Sequence, residues 1–208
     1  MNPTKHAQRA RKDIASRALR GASLRERILS VPERDRDTWL DDVLGLQSFV
    51  EDLDLPPGGV PYLPCPLRLI LSAVDQTDLG ADDVFVDLGA GLGRVAMVAH
   101  LLTGASAIGI EAQGHLVAQG RRACQALALT EVQLVHANAE DVALTGTVFF
   151  LYSPFNGQTL ARVVSRIEAL ARTQRVTVCS IDLDLPALDG FTRQPSVDAE
   201  ISIYRSIS

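Results

Sequence analysis

The segment "VFVDLGAGLGRVA", Val84 to Ala96, constrains the fold of this chain more than any other. A short apolar run meets an aspartate, then three glycines in five residues, then apolar residues at helical spacing. The first run suits a buried strand, and the glycines end it in a tight turn from which a helix leaves. The alternation then repeats. Strands are expected at Val84–Leu88, Ala107–Ile110, Val132–Val135, Val148–Tyr152 and Val176–Ile181, with helices over about 92–103, 113–128 and 157–172. In the last helix Leu160, Val163, Val164, Ile167 and Ala171 share one face. Repeated strand–helix–strand units imply a parallel sheet covered on both sides. The tail "FTRQPSVDAEISIYRS" reads as two short strands joined by a turn. The expected fold is α/β: a doubly wound, mostly parallel seven-stranded sheet with a C-terminal antiparallel hairpin and an N-terminal helical extension.

The expected organisation is an extension over 1–52, a Pro/Gly-rich connector over 53–66 ending in "VPYLPCP", and a Rossmann-like domain over 67–208. The first 36 residues hold ten Lys or Arg against four acids, although the whole chain carries −5. One or two basic helices broken near Gly21 fit this stretch, with Ile14, Ala18, Leu24, Ile28 and Leu29 as a thin apolar stripe. A packed helical extension accounts for it. Clustered cations also attract phosphates, so a nucleic-acid contact is possible, though the acidic remainder of the chain does not favour it. Ser30 and Glu33 have capping-box spacing around Pro32. Trp39, Leu40, Val43 and Leu44 lie on one helical face that Gly45 could end. Leu67, Ile70, Leu71 and Val74 resume helical spacing.

No apolar run approaches the roughly 18 residues of a membrane span. The N-terminus has no apolar signal core, so a cytoplasmic protein is expected. Three scattered cysteines and four histidines show no metal-ligand spacing, so no metal site is expected and the thiols read as reduced and mostly buried.

In an open parallel sheet, ligands bind beyond the carboxyl ends of the strands, so the glycine turn is the place to look. The string is G-A-G-L-G-R, not the dinucleotide G-x-G-x-x-G: the third glycine comes one residue early, and Arg94 stands where a small residue is wanted. Asp87 would repel a pyrophosphate but could receive a cationic amino group. Glu111, ending the second strand, could accept from both hydroxyls of a ribose. A dehydrogenase would use that position in the same way, so a nicotinamide oxidoreductase stays as an alternative.

"VDLGAGLGR" resembles motif I of the class I S-adenosylmethionine-dependent methyltransferases, and the likeness extends from residue 84 to about 182. It implies S-adenosyl-L-methionine as cofactor, S-adenosyl-L-homocysteine as product, and a cofactor site of Asp87, Gly89, Ala90, Gly91, Gly93, Glu111, Ala112, Asn138, Ala139 and Tyr62. In the family, an acidic residue followed by alanine after the third strand contacts adenine; here Asn138 takes the acid's place. "FFLYSPFNG" stands where many amino-group methyltransferases carry Asn-Pro-Pro-Tyr or Asp-Pro-Pro-Tyr, with Ser153 replacing the polar residue. "VPYLPCP" is similar to the Y-x-P-T-P segment of small protein-lysine methyltransferases that resemble the non-SET histone-lysine enzymes, with Cys65 at the threonine position. Read this way, Tyr62, Tyr152, Ser153, Pro154, Phe155 and Asp182 frame the acceptor, with Asp184 nearby. The acceptor expected is a protein or small-molecule amine. An inactive cofactor-binding module is the further alternative, since fold alone does not establish turnover.

Overall fold

The computed structural model describes residues 3–46, 61–183 and 185–207. Two helices come first, α1 (Pro3–Ala15) and α2 (Gly21–Leu29). The chain turns between them, with Arg17 at φ 62°. Ala7, Ala10 and Ile14 of α1 are buried, as are Leu24 and Ile28 of α2. Two members of the expected stripe depart from it: Ala18 is exposed and Leu19 is buried in its place, while Leu29 is 52% exposed.

The expected Ser30–Glu33 capping box does not form. Ser30 instead closes α2, its N–H bonding the Glu26 carbonyl. Pro32 disfavours helical backbone at Val31, and a 3-10 turn (Glu33–Asp35) precedes helix α3 (Arg36–Leu44). In α3, Trp39, Leu40, Val43 and Leu44 are buried, and Gly45 ends the helix in the left-handed conformation at φ 72°. The Arg11 guanidinium lies over Gly45 and donates to the Val43 carbonyl at 3.0 Å. Of the expected connector, residues 53–60 lie outside the described residues. Helix α4 (Leu67–Gln76) follows it.

The sheet strands are β1 (Val84–Leu88), β2 (Ser106–Glu111), β3 (Val132–His136), β4 (Val148–Tyr152), β5 (Thr177–Ile181), β6 (Phe191–Gln194) and β7 (Ile201–Ser206). Helices α5 (Arg94–Thr103), α6 (Gly114–Ala126) and α7 (Gly157–Ala171) complete the order. The strand order is β3-β2-β1-β4-β5-β7-β6. β1 to β5 pair in parallel; β7 runs antiparallel to β5, and β6 antiparallel to β7. The chain winds outward from β1 to β3, then returns to place β4 beside β1. That reversal is the topological switch point, where the connections leaving β1 and β4 diverge.

Period-two burial divides the side chains between two layers. Phe85, Phe150 and Leu134 join one core with residues of α1 to α6. Val86, Leu88, Phe149 and Leu151 join the other, beneath Leu160, Val163, Val164 and Ile167 of α7. In the second layer α7 is the one helix among the described residues, β3–β4 and β5–β6 being joined there without one. Arg166 of α7 compensates for this by donating to the carbonyls of Ala139, Glu140 and Val142 in the loop after β3. Those loop carbonyls would otherwise lack helical partners. Among the described residues no helix is long and apolar enough to cross a membrane.

Leu134 shows how tightly the first layer is closed. Its methyl groups fill the space where Gly93, Gly109 and Gly120 would carry a Cβ. At Gly120, in the middle of α6, a Cβ would also meet the Leu92 carbonyl, which is backbone and cannot rotate away. Intrinsic propensity favours Gly120→Ala by about 1 kcal/mol, yet overpacking costs about 1–3 kcal/mol. The expected outcome is a net loss of stability in urea denaturation, opposite in sign to what propensity dictates.

Candidate active site

A cleft of about 570 Å³ opens at the carboxyl ends of β1 and β4. Its walls come from residues 61–63 of the strap that leads into α4 (61–66), the glycine turn, the ends of β2 and β3, the β4–α7 loop and Asp182. Tyr62, Gly89, Glu111, Ala112, Asn138, Ala139, Tyr152, Ser153, Pro154, Phe155 and Asp182 all line it. Asp184 lies outside the described residues.

The four remaining expected positions sit behind the wall, for distinct reasons. Gly91 is covered by the Tyr62 ring, in the space its Cβ would occupy. Ala90 packs on Gly109, and Gly93 packs on Leu134 at the start of α5. These two close the helix onto the sheet and do not line the cleft. Asp87 is buried, 2% exposed, at the end of β1.

Two glycines of the turn serve close approach. Gly89 (φ 81°) has Pro154 where a Cβ would stand, and Gly91 (φ 54°) has Tyr62. Left-handed backbone and absent side chains thus let the β4–α7 loop and the strap meet the turn from opposite sides. Gly91 also donates its N–H to Glu111 Oε2 at 2.9 Å, and Gln113 N–H donates to Oε1 at 2.8 Å. Each carboxylate oxygen is fixed yet keeps a lone pair. Glu111 is therefore a pre-oriented double acceptor on the cleft wall.

Burial, then the neighbouring Glu111 carboxylate, push the Asp87 carboxyl up to about 7, while the Ala96 backbone N–H holds it down. One of its oxygens, Oδ2, has no hydrogen-bond partner among the described residues. A buried acceptor without a donor is costly. Such an oxygen, at the strand end that leads into the glycine turn, has the charge and the free lone pairs to receive a cationic amino group. Asn138 and Ala139 sit across the cleft, with Asn138 Nδ2 donating to Asp141 Oδ2 at 3.2 Å.

The acceptor end carries local strain. Ser153 (φ 42°) and Asp182 (φ 47°) end adjacent strands in left-handed backbone. The Ser153 hydroxyl donates to the Asp182 carbonyl at 2.7 Å, holding the two together. Burial raises the phenols of Tyr62 and Tyr152. Both therefore stay protonated and can donate hydrogen bonds but cannot act as bases. His136 packs at the start of α6 and donates from Nε2 to the Ala112 carbonyl at 3.0 Å, tying the end of β3 to the end of β2.

The sequence reading missed the cations behind the site. Arg94, noted only as a misfit to the dinucleotide pattern, is buried. Its Nε meets Asp41 at 2.9 Å, its Nη2 meets Asp37 at 2.7 Å, and its Nη1 donates to the Cys65 carbonyl. A cation in the first turn of a helix opposes the dipole and needs partners, and two acids four residues apart on α3 were the available signal. Arg162 lines the cleft and pairs with Glu140 at 3.0 Å; it stands one turn from Arg166 on α7.

No curated protein sequence matches the chain. The family model described as "Histone methylation protein DOT1" matches residues 65–137, roughly a third of the chain, from the strap through β3. Among solved structures, an RNA methyltransferase from Salinibacter ruber in complex with S-adenosyl-L-homocysteine is 25% identical. It covers 69% of this chain and 92% of its own, with a TM-score of 0.58. The fold is that of the class I methyltransferases. The precorrin-6y C5,15-methyltransferase from Geobacter metallireducens shares it at 14% identity, covering 74% of this chain and 93% of its own, with a TM-score of 0.50.

Two outcomes are expected. Replacing Arg94 by methionine leaves the largely buried Asp41 and the Cys65 carbonyl without their partner, while the half-exposed Asp37 regains water; stability is expected to fall by about 1–3 kcal/mol, read as a fall in the denaturation midpoint. Asp87 acts through pH. Its folded value is raised, so between about pH 4 and 7 the folded state binds more protons than the unfolded one, and stability falls as pH rises. Asp87→Asn is therefore expected to melt above the unaltered protein at about pH 8, the difference closing toward about pH 4.

Proposed function

We propose that this chain is an S-adenosylmethionine-dependent methyltransferase whose acceptor is an amine, with a protein lysine as the best candidate. The observation that carries the reading is the Asp87 carboxylate, buried next to the glycine turn with one oxygen unpartnered among the described residues, while Glu111 stands fixed on the cleft wall. The first fits an amino acid's ammonium and the second a ribose. Asn138 and Ala139 would then hold the adenine. The matched histone-methylation model supports a protein amine as acceptor.

When bound, the cofactor supplies a methyl group already activated by its sulfonium. The protein's own residues then have to position, desolvate and deprotonate. Tyr62, Tyr152 and Phe155 wall the acceptor end and exclude water. Ser153 and Pro154 set the edge against Gly89. An amine must lose a proton before it can attack. The two phenols are unsuited to take it, so Asp182, exposed at the mouth, is the group that receives the cationic acceptor and its proton.

Calorimetric titration with S-adenosylmethionine, S-adenosylhomocysteine and NADH tests the first step. Micromolar binding of both sulfur nucleotides and none of NADH is expected, with Asp87→Asn abolishing it. Asp87 must be ionised to hold an ammonium, so affinity climbs as pH rises toward about 7. NADH binding alone would return the oxidoreductase reading. For the acceptor end, Tyr152→Phe, Ser153→Ala and Asp182→Asn are expected to lower turnover about 10-fold or more with cofactor affinity kept. Unchanged turnover in all three would remove these residues from the site.

A further inference from the structure

We infer that the N-terminal helices carry a binding site for the phosphodiester backbone of a nucleic acid, apart from the cleft and independent of the methyl-transfer reading. It starts on the outer face of α1. Lys5, Arg9 and Lys12, spaced by four and three residues, share one exposed face opposite the buried Ala7, Ala10 and Ile14. That places three cations along about 10 Å of helix. Asp13 approaches Arg9 only at 4.0 Å, with the Arg9 side chain 79% exposed. Among the described residues no carboxylate pairs with Lys5, Lys12, Arg17 or Arg20.

The stripe continues where α1 turns into α2. Arg17 and Arg20 line a second cleft, of about 420 Å³, between this turn and the end of α5. Arg20 Nη2 donates to the Ile14 carbonyl at 3.5 Å, whereas its buried Nη1 has no hydrogen-bond partner among the described residues. Its guanidinium is destabilised by burial and then by the neighbouring Arg17. Two like charges held side by side, one with a buried donor unused, leave a place for an anion. The first turn of α2 begins in the same cleft at Gly21, adding backbone N–H groups. Glu131 is the one carboxylate lining it.

A row of cations leading into a cationic cleft suits a chain of evenly spaced phosphates better than a single anion. The rest of the molecule is acidic, so this face is where a polyanion would be accepted. With five cations engaged, binding to a single strand is expected to weaken with salt at a log–log slope of about −3.5, and to duplex DNA at about −4.5.

The test is fluorescence anisotropy of the full chain with a labelled single-stranded RNA and a labelled DNA duplex, each of roughly 20 nucleotides or base pairs, across about 50–200 mM KCl. Polyglutamate serves as a non-phosphate polyanion. Two variants are compared, Lys5→Glu/Arg9→Glu/Lys12→Glu and Arg17→Asn/Arg20→Ser. The second is chosen to keep the fold, since Asn tolerates the positive φ at 17 and Ser suits the helix start at 20. Trp39 emission reports that α1 and α3 remain packed. The expected result is binding of one or both nucleic acids, weakened at least about 10-fold in each variant, with the salt slope reduced by about 2 in the triple variant. Undiminished binding in both folded variants, no binding at the lowest salt, or equal affinity for polyglutamate would each overturn the proposal. Cofactor titration of the same variants should be unchanged, so failure here is separable from failure of the methyltransferase reading.

Discussion

The Arg94 guanidinium is the point on which the arrangement of this molecule depends. It is buried in the first turn of α5, directly after the glycine turn, where the helix dipole disfavours a cation. Removing it from water is expensive unless every nitrogen finds an acceptor. Asp37 and Asp41 of α3 and the Cys65 carbonyl of the strap supply them. The N-terminal helices and the strap are therefore tied to the loop that forms the cleft floor. Asp37 acts twice: the same oxygen accepts the N–H of Leu67 at 2.9 Å and so caps α4, whose N-cap is a proline with no side-chain acceptor.

From that anchor the strap runs back over the glycine turn, and Tyr62 comes to rest on Gly91. Pro154 reaches Gly89 from the other side. The turn is a junction of three segments far apart in the chain, and its backbone reaches a fourth through the Gly91–Glu111 hydrogen bond. Left-handed backbone at Ser153 and Asp182 costs on the order of 1–3 kcal/mol each and persists only where the surroundings enforce it. Here the Ser153–Asp182 hydrogen bond and the β4–β5 pairing do so. Strain of this kind beside a cleft is a common mark of a pre-organised site.

Much of the architecture was readable from pattern. Strand alternation, the amphipathic face of α7 and the closing hairpin follow from local spacing, and the observed strands differ from the expected ones by a residue or so at their ends. Local chemistry also pointed to Asp87, an acid beside glycines at a strand end, and to Glu111, an acid ending a buried strand; the Ser153 loop was singled out by the resemblance to the methyltransferases. Expected roles and observed surroundings part company for two different reasons. Ala90 and Gly93 belong to the motif but face inward, which depends on Leu134 and Gly109, distant in sequence. Ser30 has the right spacing for a cap and fails because Pro32 redirects the chain.

Periodicity and turn chemistry, carried by neighbours within a few residues, dictated the succession of elements, the parallel sheet and the region of the cleft. They could not dictate what lies behind the wall. That Arg94 joins α3 to the strap, that Arg166 holds a helix-free loop, and that Asp87 has an oxygen unpartnered among the described residues each depend on groups brought together from distant parts of the chain. Long flexible side chains and buried charges acquire their partners only when the layers close, because the energy of a charge is set by its surroundings and not by its neighbours in sequence.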